Sequence, residues 1–172
     1  MKAELVSHAF APVYDQNSRI LVLGTMPSPA SRQNGFYYSH PRNRFWPVVA
    51  HLLGEPLPAT PEEKRSLLLR RGIALWDVLA SCTIAGAEDS SIRQPVANDL
   101  RPIFQAAPIA AVFTTGGKAH QLYRRYCLPR TGVEDIQLPS TSPANCRVDT
   151  QELLDAYGRM LDYLETKGEM YG

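Results

Sequence analysis

Short apolar runs, too brief for core helices, recur along this chain with helix-like segments between them, and this alternation constrains the fold most. The runs occupy residues 19–24, 73–79, 109–114 and 134–138; the first reads Arg-Ile-Leu-Val-Leu-Gly. Between and after them, helical patterning covers residues 43–53, 61–71, 99–106, 118–126 and 150–166. In the last of these, apolar residues fall at 153, 154, 157, 160, 161 and 164, a helical period. Asn98 and Thr150 stand where helix caps are expected. Strand–helix alternation of this kind predicts a mostly parallel sheet with helices on both faces. Ligands of such sheets bind at the carboxyl ends of the strands. The residues to inspect are therefore those that follow Leu23, Leu79, Phe113 and Leu138.

Size and composition narrow the classes. A chain of 172 residues, 44% hydrophobic and 20% charged, predicts one globular domain over 1–172. No apolar run is long enough to span a bilayer. The segment from Met1 to Phe10 carries Glu4 and His8 and does not read as a signal peptide, so a cytoplasmic protein with no membrane association is expected. Cys82, Cys127 and Cys146 are far apart, odd in number and without CxxC spacing, which predicts buried, reduced thiols. Three thiolates also fall short of the four an ordinary iron–sulfur cluster needs; no metal and no cofactor is expected.

A formal net charge of +1 hides an asymmetry. Residues 16–54 contain no acid but include Arg19, Arg32, Arg42 and Arg44, and residues 100–133 repeat the pattern with Arg101, Lys118, Arg124, Arg125 and Arg130. If the two stretches share a face, that face attracts phosphates; an ordinary solvated surface is the other explanation.

The loops after the runs carry the chemistry. After the first comes Gly24-Thr25-Met26-Pro27-Ser28-Pro29, then the aromatic and basic stretch from Asn34 to Pro47. Phe45 and Trp46 start a helix and are read as core. Tyr37 and Tyr38, adjacent in a loop bounded by Gly35 and Pro41, are awkward to bury together and suit stacking on nucleobases. After the third run, Gly116-Gly117-Lys118 opens a helix and could bind an anion, without the spacing of a Walker A motif. After the fourth, Pro139-Ser140-Thr141-Ser142-Pro143 is a stiff hydroxyl-rich loop, suited to a DNA backbone or to a surface turn.

Gly24-Thr25-Met26-Pro27-Ser28 and Pro139-Ser140-Thr141-Ser142-Pro143 resemble motifs one and two of the uracil-DNA glycosylase superfamily. Residues 35–46 are similar to the matching stretch of the mismatch-specific uracil glycosylases. With Leu75-Trp76-Asp77-Val78-Leu79, Ser81-Cys82 and Asp89-Ser90-Ser91-Ile92, the resemblance is strongest to the hypoxanthine (deoxyinosine) DNA glycosylase family, from about residue 20 to 147. It implies a central four-stranded parallel sheet in a three-layer α/β/α sandwich that flips a damaged nucleotide into a pocket. Gly24, Thr25, Met26, Pro27 and Ser28 would wall that pocket, Tyr38 would stack on the base, and His40 and Ser140 would contact the substrate. Lys118, Ser142, Arg42 and Arg147 would meet the DNA. Asn43, in the Pro-Arg-Asn segment, is the catalytic candidate.

The chain departs from the wider superfamily at Met26, where a polar water-activating group is common, and at Leu138, where some relatives carry His or Asn. An amide matches hypoxanthine's edge: its NH2 gives to O6 and its oxygen takes from N1–H. Asn43 could thus read the base, stabilise charge or position water, and Asn is also a preferred helix cap. Asp77, Asp89 and His120 are read as structural. The expected partner is double-stranded DNA carrying a deaminated base, with single-stranded DNA second, bound by a monomer working at the nucleoid. Uracil excision and a catalytically silent lesion-binding module are the alternatives; an ester hydrolase using Ser28 or Ser140 with His40 ranks below them, lacking a GxSxG elbow.

Overall fold

The computed structural model describes residues 2–8 and 10–164. Its strands are β1 (Glu4–Ser7), β2 (Ile20–Gly24), β3 (Ile73–Asp77), β4 (Leu79–Ile84), β5 (Arg93–Ala97), β6 (Ala111–Thr115) and β7 (Asp135–Leu138). The α-helices are α1 (Pro29–Asn34), α2 (Phe45–Leu53), α3 (Pro61–Arg70), α4 (Arg101–Ala106), α5 (Gly117–Leu122), α6 (Leu128–Thr131) and α7 (Thr150–Tyr157). A π turn over Tyr123–Cys127 joins α5 to α6.

The central sheet has four strands in the order β3-β2-β6-β7, all parallel, with helices against it as in an α/β/α sandwich. Alternation along β2 assigns the two faces. Ile20 and Val22 join Val49, Leu68, Leu153 and Tyr157 in a core beneath α2, α3 and α7. Leu21 and Leu23 join Ile103, Leu122 and Tyr123 in a second core beneath α4 and α5. All four β2 side chains have 0% exposure, and each contributes about 1.5–3 kcal/mol by leaving water. A run buried on both faces explains why residues 20–23 are apolar without alternation.

The second face also carries a feature that the sequence reading did not contain, an antiparallel sheet in the order β1-β4-β5. The apolar run at 73–79 is therefore two elements. The chain leaves the large sheet at Asp77 and enters the small one at Leu79, with Val78 alone between them. Asn98 clamps this corner: its Nδ2 donates to the carbonyls of Asp77 and Leu79, at 2.9 and 3.1 Å, and its backbone N–H donates to Val78 at 2.8 Å.

Other boundaries shift for local reasons. Asn98 is committed to that corner and does not cap α4, which begins at Arg101 with Asp99 Oδ1 accepting the Arg101 N–H. Thr150 is the first residue of α7; the cap is Asp149, in a reciprocal capping box with Glu152. The helix expected over 150–166 is α-helical only to Tyr157 and continues as a 3-10 helix over Gly158–Tyr163; residues 165 and 166 lie outside the described residues. Cys82 and Cys127 are buried, whereas Cys146 is exposed, against expectation. No helix among the described residues is long and apolar enough to cross a membrane.

The capping box makes a test. Asp149→Ala should lower stability by about 1 kcal/mol, or roughly 2–4 °C in Tm for a domain of this size, and Thr150→Ala should stay within about 0.5 kcal/mol of the parent. Paired thermal melts followed by circular dichroism measure both.

Candidate active site

The carboxyl ends of the four parallel strands converge on one cavity of about 300 Å³. β2 supplies Gly24, β3 Asp77 and β6 Thr115, and the loop after β7 supplies Ser140 and Thr141. It lies where the sheet order reverses, since the chain steps from β2 to β3 on one side and later to β6 on the other.

Most of the expected residues meet there. Gly24, Thr25, Met26, Pro27 and Ser28 line one wall. Tyr38, His40 and Asn43 come from the segment between α1 and α2, and Ser140 and Ser142 complete the ring. Lys118, Arg42 and Arg147 do not line it; Arg42 and Arg147 are exposed, and half-buried Lys118 contacts Gln121 at 3.4 Å. Leu138 is fully buried in the first core.

The wall after β2 is held by short local bonds. Ser28 caps α1 by accepting the Ser31 N–H, and Arg32 reaches back to donate to the Pro27 carbonyl at 3.0 Å. The neighbouring backbone is tied to the corner after β3: Val78 N–H donates to Gly24 O and Leu79 N–H to Thr25 O. The loop after β7 is fixed to α2 by Arg44, whose N–H donates to Thr141 O and whose guanidinium donates to Asn145 O.

The adjacent tyrosines part company. Tyr37 is buried, with 2% exposure, and its hydroxyl donates to Ala11 O; it is packed into the first core and reaches the cavity wall only from there. Tyr38 adopts φ +53°, a costly conformation for a bulky residue, and its half-buried ring also lines the cavity. The ring is stacked on Phe45, with centroids 4.0 Å apart and planes at 12°. Its hydroxyl lies 3.0 Å from Thr115 Oγ1. Thr115 spends its own proton on Leu23 O at 3.3 Å, so Tyr38 is the donor in that pair. Burial, reinforced by the charge of Asp77, pushes the Tyr38 phenol well above its usual range, and it keeps that proton.

Asn43 stands one residue before Arg44, the N-cap of α2, and also lines the cavity. Its Oδ1 accepts the Phe45 N–H at 2.9 Å at the start of α2, and this orients the amide. Nδ2 is left without a protein partner among the described residues, on a side chain that lines the cavity. His40 Nδ1 accepts the Arg42 N–H at 3.1 Å.

The sequence reading missed Asp77 and His8. Asp77 lines the cavity, and its Oδ2 lies 2.8 Å from His8 Nε2; both side chains are only 4% exposed. Gly24 is what allows the approach. A methyl there would sit 2.5 Å from Asp77 Oδ1 and 3.0 Å from the Tyr38 hydroxyl. Asp89, read as structural, also lines the cavity; its carboxyl is exposed yet crowded enough to be pushed above the usual range, with Lys118 opposing.

Comparison with known proteins extends this description. Residues 11–163 match the family described as Uracil DNA glycosylase superfamily. The chain is 34% identical over 144 residues to hypoxanthine DNA glycosylase of Methanosarcina acetivorans, covering 83% of this chain and 90% of that protein. The protein of the same name from Methanosarcina barkeri is 34% identical over 139 residues, covering 80% and 87%. A solution NMR structure from Methanosarcina acetivorans, carried under the provisional name uracil DNA glycosylase, superposes with a TM-score of 0.76 at 31% identity, over 92% of this chain and 99% of that one.

Gly24→Ala is expected to cost about 1–3 kcal/mol, because the added methyl enters occupied space. Gly158→Ala, where nothing lies within 4 Å and φ is −56°, should be neutral or stabilising by up to about 1 kcal/mol. Urea unfolding midpoints compared at equal slope would measure both.

Proposed function

The chain belongs to the uracil DNA glycosylase superfamily and is a DNA glycosylase, and we propose that the base it removes is hypoxanthine. Its partner is DNA; we read the substrate as a duplex carrying deoxyinosine, with single-stranded DNA second, bound by a cytoplasmic monomer without a cofactor. Damaged and mismatched pairs cost a few kcal/mol less to open, which favours their extrusion.

The observation that carries this reading is the Asn43 amide. Phe45 N–H holds its oxygen, and its NH2 is left to donate on the cavity wall. Breaking the glycosidic bond leaves negative charge on the base and positive charge on the sugar. A fixed donor facing hypoxanthine O6 stabilises that base as it departs, an effect of about 3 kcal/mol for a preorganised donor. Tyr38, already stacked on Phe45, offers a ring against which the base can rest. Met26 cannot orient water. The rate therefore rests on stabilising the leaving base, and DNA's own phosphates favour the cationic sugar.

Single-turnover reactions on duplexes containing inosine, uracil, xanthine or no lesion, each followed by alkali, provide the test. Strand breaks only after alkali, fastest with inosine, are expected of a monofunctional hypoxanthine glycosylase; faster cutting at uracil would replace this reading. Asn43→Ala should slow base release by at least tenfold with DNA affinity changed by less than about threefold, since one lost donor is worth more than that in rate. Lys118→Ala should instead weaken binding to lesion and control duplexes alike and reduce the salt slope by about 1.

A further inference from the structure

His8 and Asp77 form a buried pair at the cavity that none of the steps above uses. His8 follows β1, and three rings surround its imidazole: Phe10 at 5.7 Å, Tyr37 at 5.9 Å and Trp76 at 6.1 Å between centroids. The segment is itself anchored, because Trp76 Nε1 donates to Phe10 O and the Tyr37 hydroxyl to Ala11 O. His8 Nδ1 accepts the Phe10 N–H at 3.1 Å, so that nitrogen carries a lone pair and the ring proton sits on Nε2. Nε2–H therefore donates to Asp77 Oδ2 at 2.8 Å. The chain's first strand thus ends in a donor whose direction is fixed, and that donor claims one oxygen of the carboxylate.

Among the described residues, Oδ2 is the carboxylate oxygen that has a hydrogen-bond partner, and Oδ1 is left as an open acceptor. It stands over Gly24, on a side chain that lines the cavity. A carboxylate oxygen open on a cavity wall accepts hydrogen bonds only, so it is matched by a ligand that brings an N–H. A flipped nucleotide enters base first, while its sugar stays at the mouth, joined to the DNA backbone. Asp77, with 3% exposure, is withdrawn from the solvent-facing mouth, so the base edge rather than the sugar would meet it.

We propose that His8 is a positioning residue that holds Asp77 Oδ1 as a fixed acceptor for the N1–H of flipped hypoxanthine, making Asp77 a specificity-determining residue. The inference rests on the hypoxanthine reading and divides the recognition of its edge between two side chains. Asn43, whose oxygen is engaged, donates to O6; Asp77 accepts from N1–H. Adenine, the base from which hypoxanthine arises by deamination, presents a lone pair at N1, which Oδ1 repels, so these two contacts discriminate against adenine.

The pair predicts its own inversion. In Asp77→Asn, the His8 donor selects the amide oxygen and leaves the NH2 toward the cavity, so an acceptor becomes a donor. Binding is measured on two duplexes that the enzyme cannot hydrolyse, containing 2′-fluoro-2′-deoxyinosine or 2′-fluoro-2′-deoxyadenosine. The native protein should favour the inosine duplex, and Asp77→Asn should shift the ratio toward adenosine by at least tenfold. Single-turnover excision of inosine should fall at least a hundredfold in Asp77→Asn and at least tenfold in His8→Leu. His8→Gln, which restores a donor, should stay within about fivefold of native. Equal losses on both duplexes with an unchanged ratio, or inosine excision within threefold of native in folded Asp77→Asn, would overturn the proposal. Should the native protein leave inosine intact, the hypoxanthine reading fails, and the ratio on the fluorinated duplexes still decides the role of Asp77.

Discussion

Everything at the mouth of the sheet depends on a missing methyl group. Where β2 ends, Gly24 has no side chain, and three oxygens occupy that space: Asp77 Oδ1, the Tyr38 hydroxyl and Thr115 Oγ1. They come from three separate stretches of chain, two of them the strands that flank β2 on either side. Parallel pairing sets Gly24 opposite Asp77, and the next strand ends at Thr115. Any larger residue would push these groups apart and loosen the stack of Tyr38 on Phe45, which depends on the Tyr38 hydroxyl staying with Thr115. The polarity of the cavity is thus a result of backbone proximity.

Much of this was legible in the residues. Runs buried on both faces need no polar alternation: β2 is apolar from Ile20 to Leu23, and the run into β6 is apolar from Ile109 to Phe113. The loops that follow β2 and β7 are punctuated by proline and small polar residues, so their place at the strand ends followed directly from the architecture. The small sheet was harder to read for the same physical reason in reverse. β1 buries one side chain of four, and β5 is a half-exposed strand with register shifts against β4, so neither has a hydrophobic period to detect.

Asp77 was hidden by its neighbours. Apolar residues continue on both sides of it, through Leu75-Trp76 and Val78-Leu79, so one run appears where two strands meet. The tyrosine pair shows a similar limit. Two adjacent tyrosines look hard to bury together, and the left-handed backbone at Tyr38 is what lets Tyr37 be buried in the core while Tyr38 stays half-buried beside it. His8 meets Asp77 across 69 positions of sequence, a pairing that no local pattern could connect.

One residue, Val78, separates the two sheets, and Asn98 holds that corner from β5's side. A loop between the sheets would let each drift independently as the sequence diverges. Without one, a small rotation of the outer sheet turns the Asp77 carboxylate, because both belong to the same rigid elbow. The outer sheet also carries exposed residues such as Leu5 and Val96, which substitution reaches at little cost to the core. With Asp77 in its proposed role, the base edge that the cavity accepts is tied to the setting of the outer sheet, through an elbow that lies outside both motif loops.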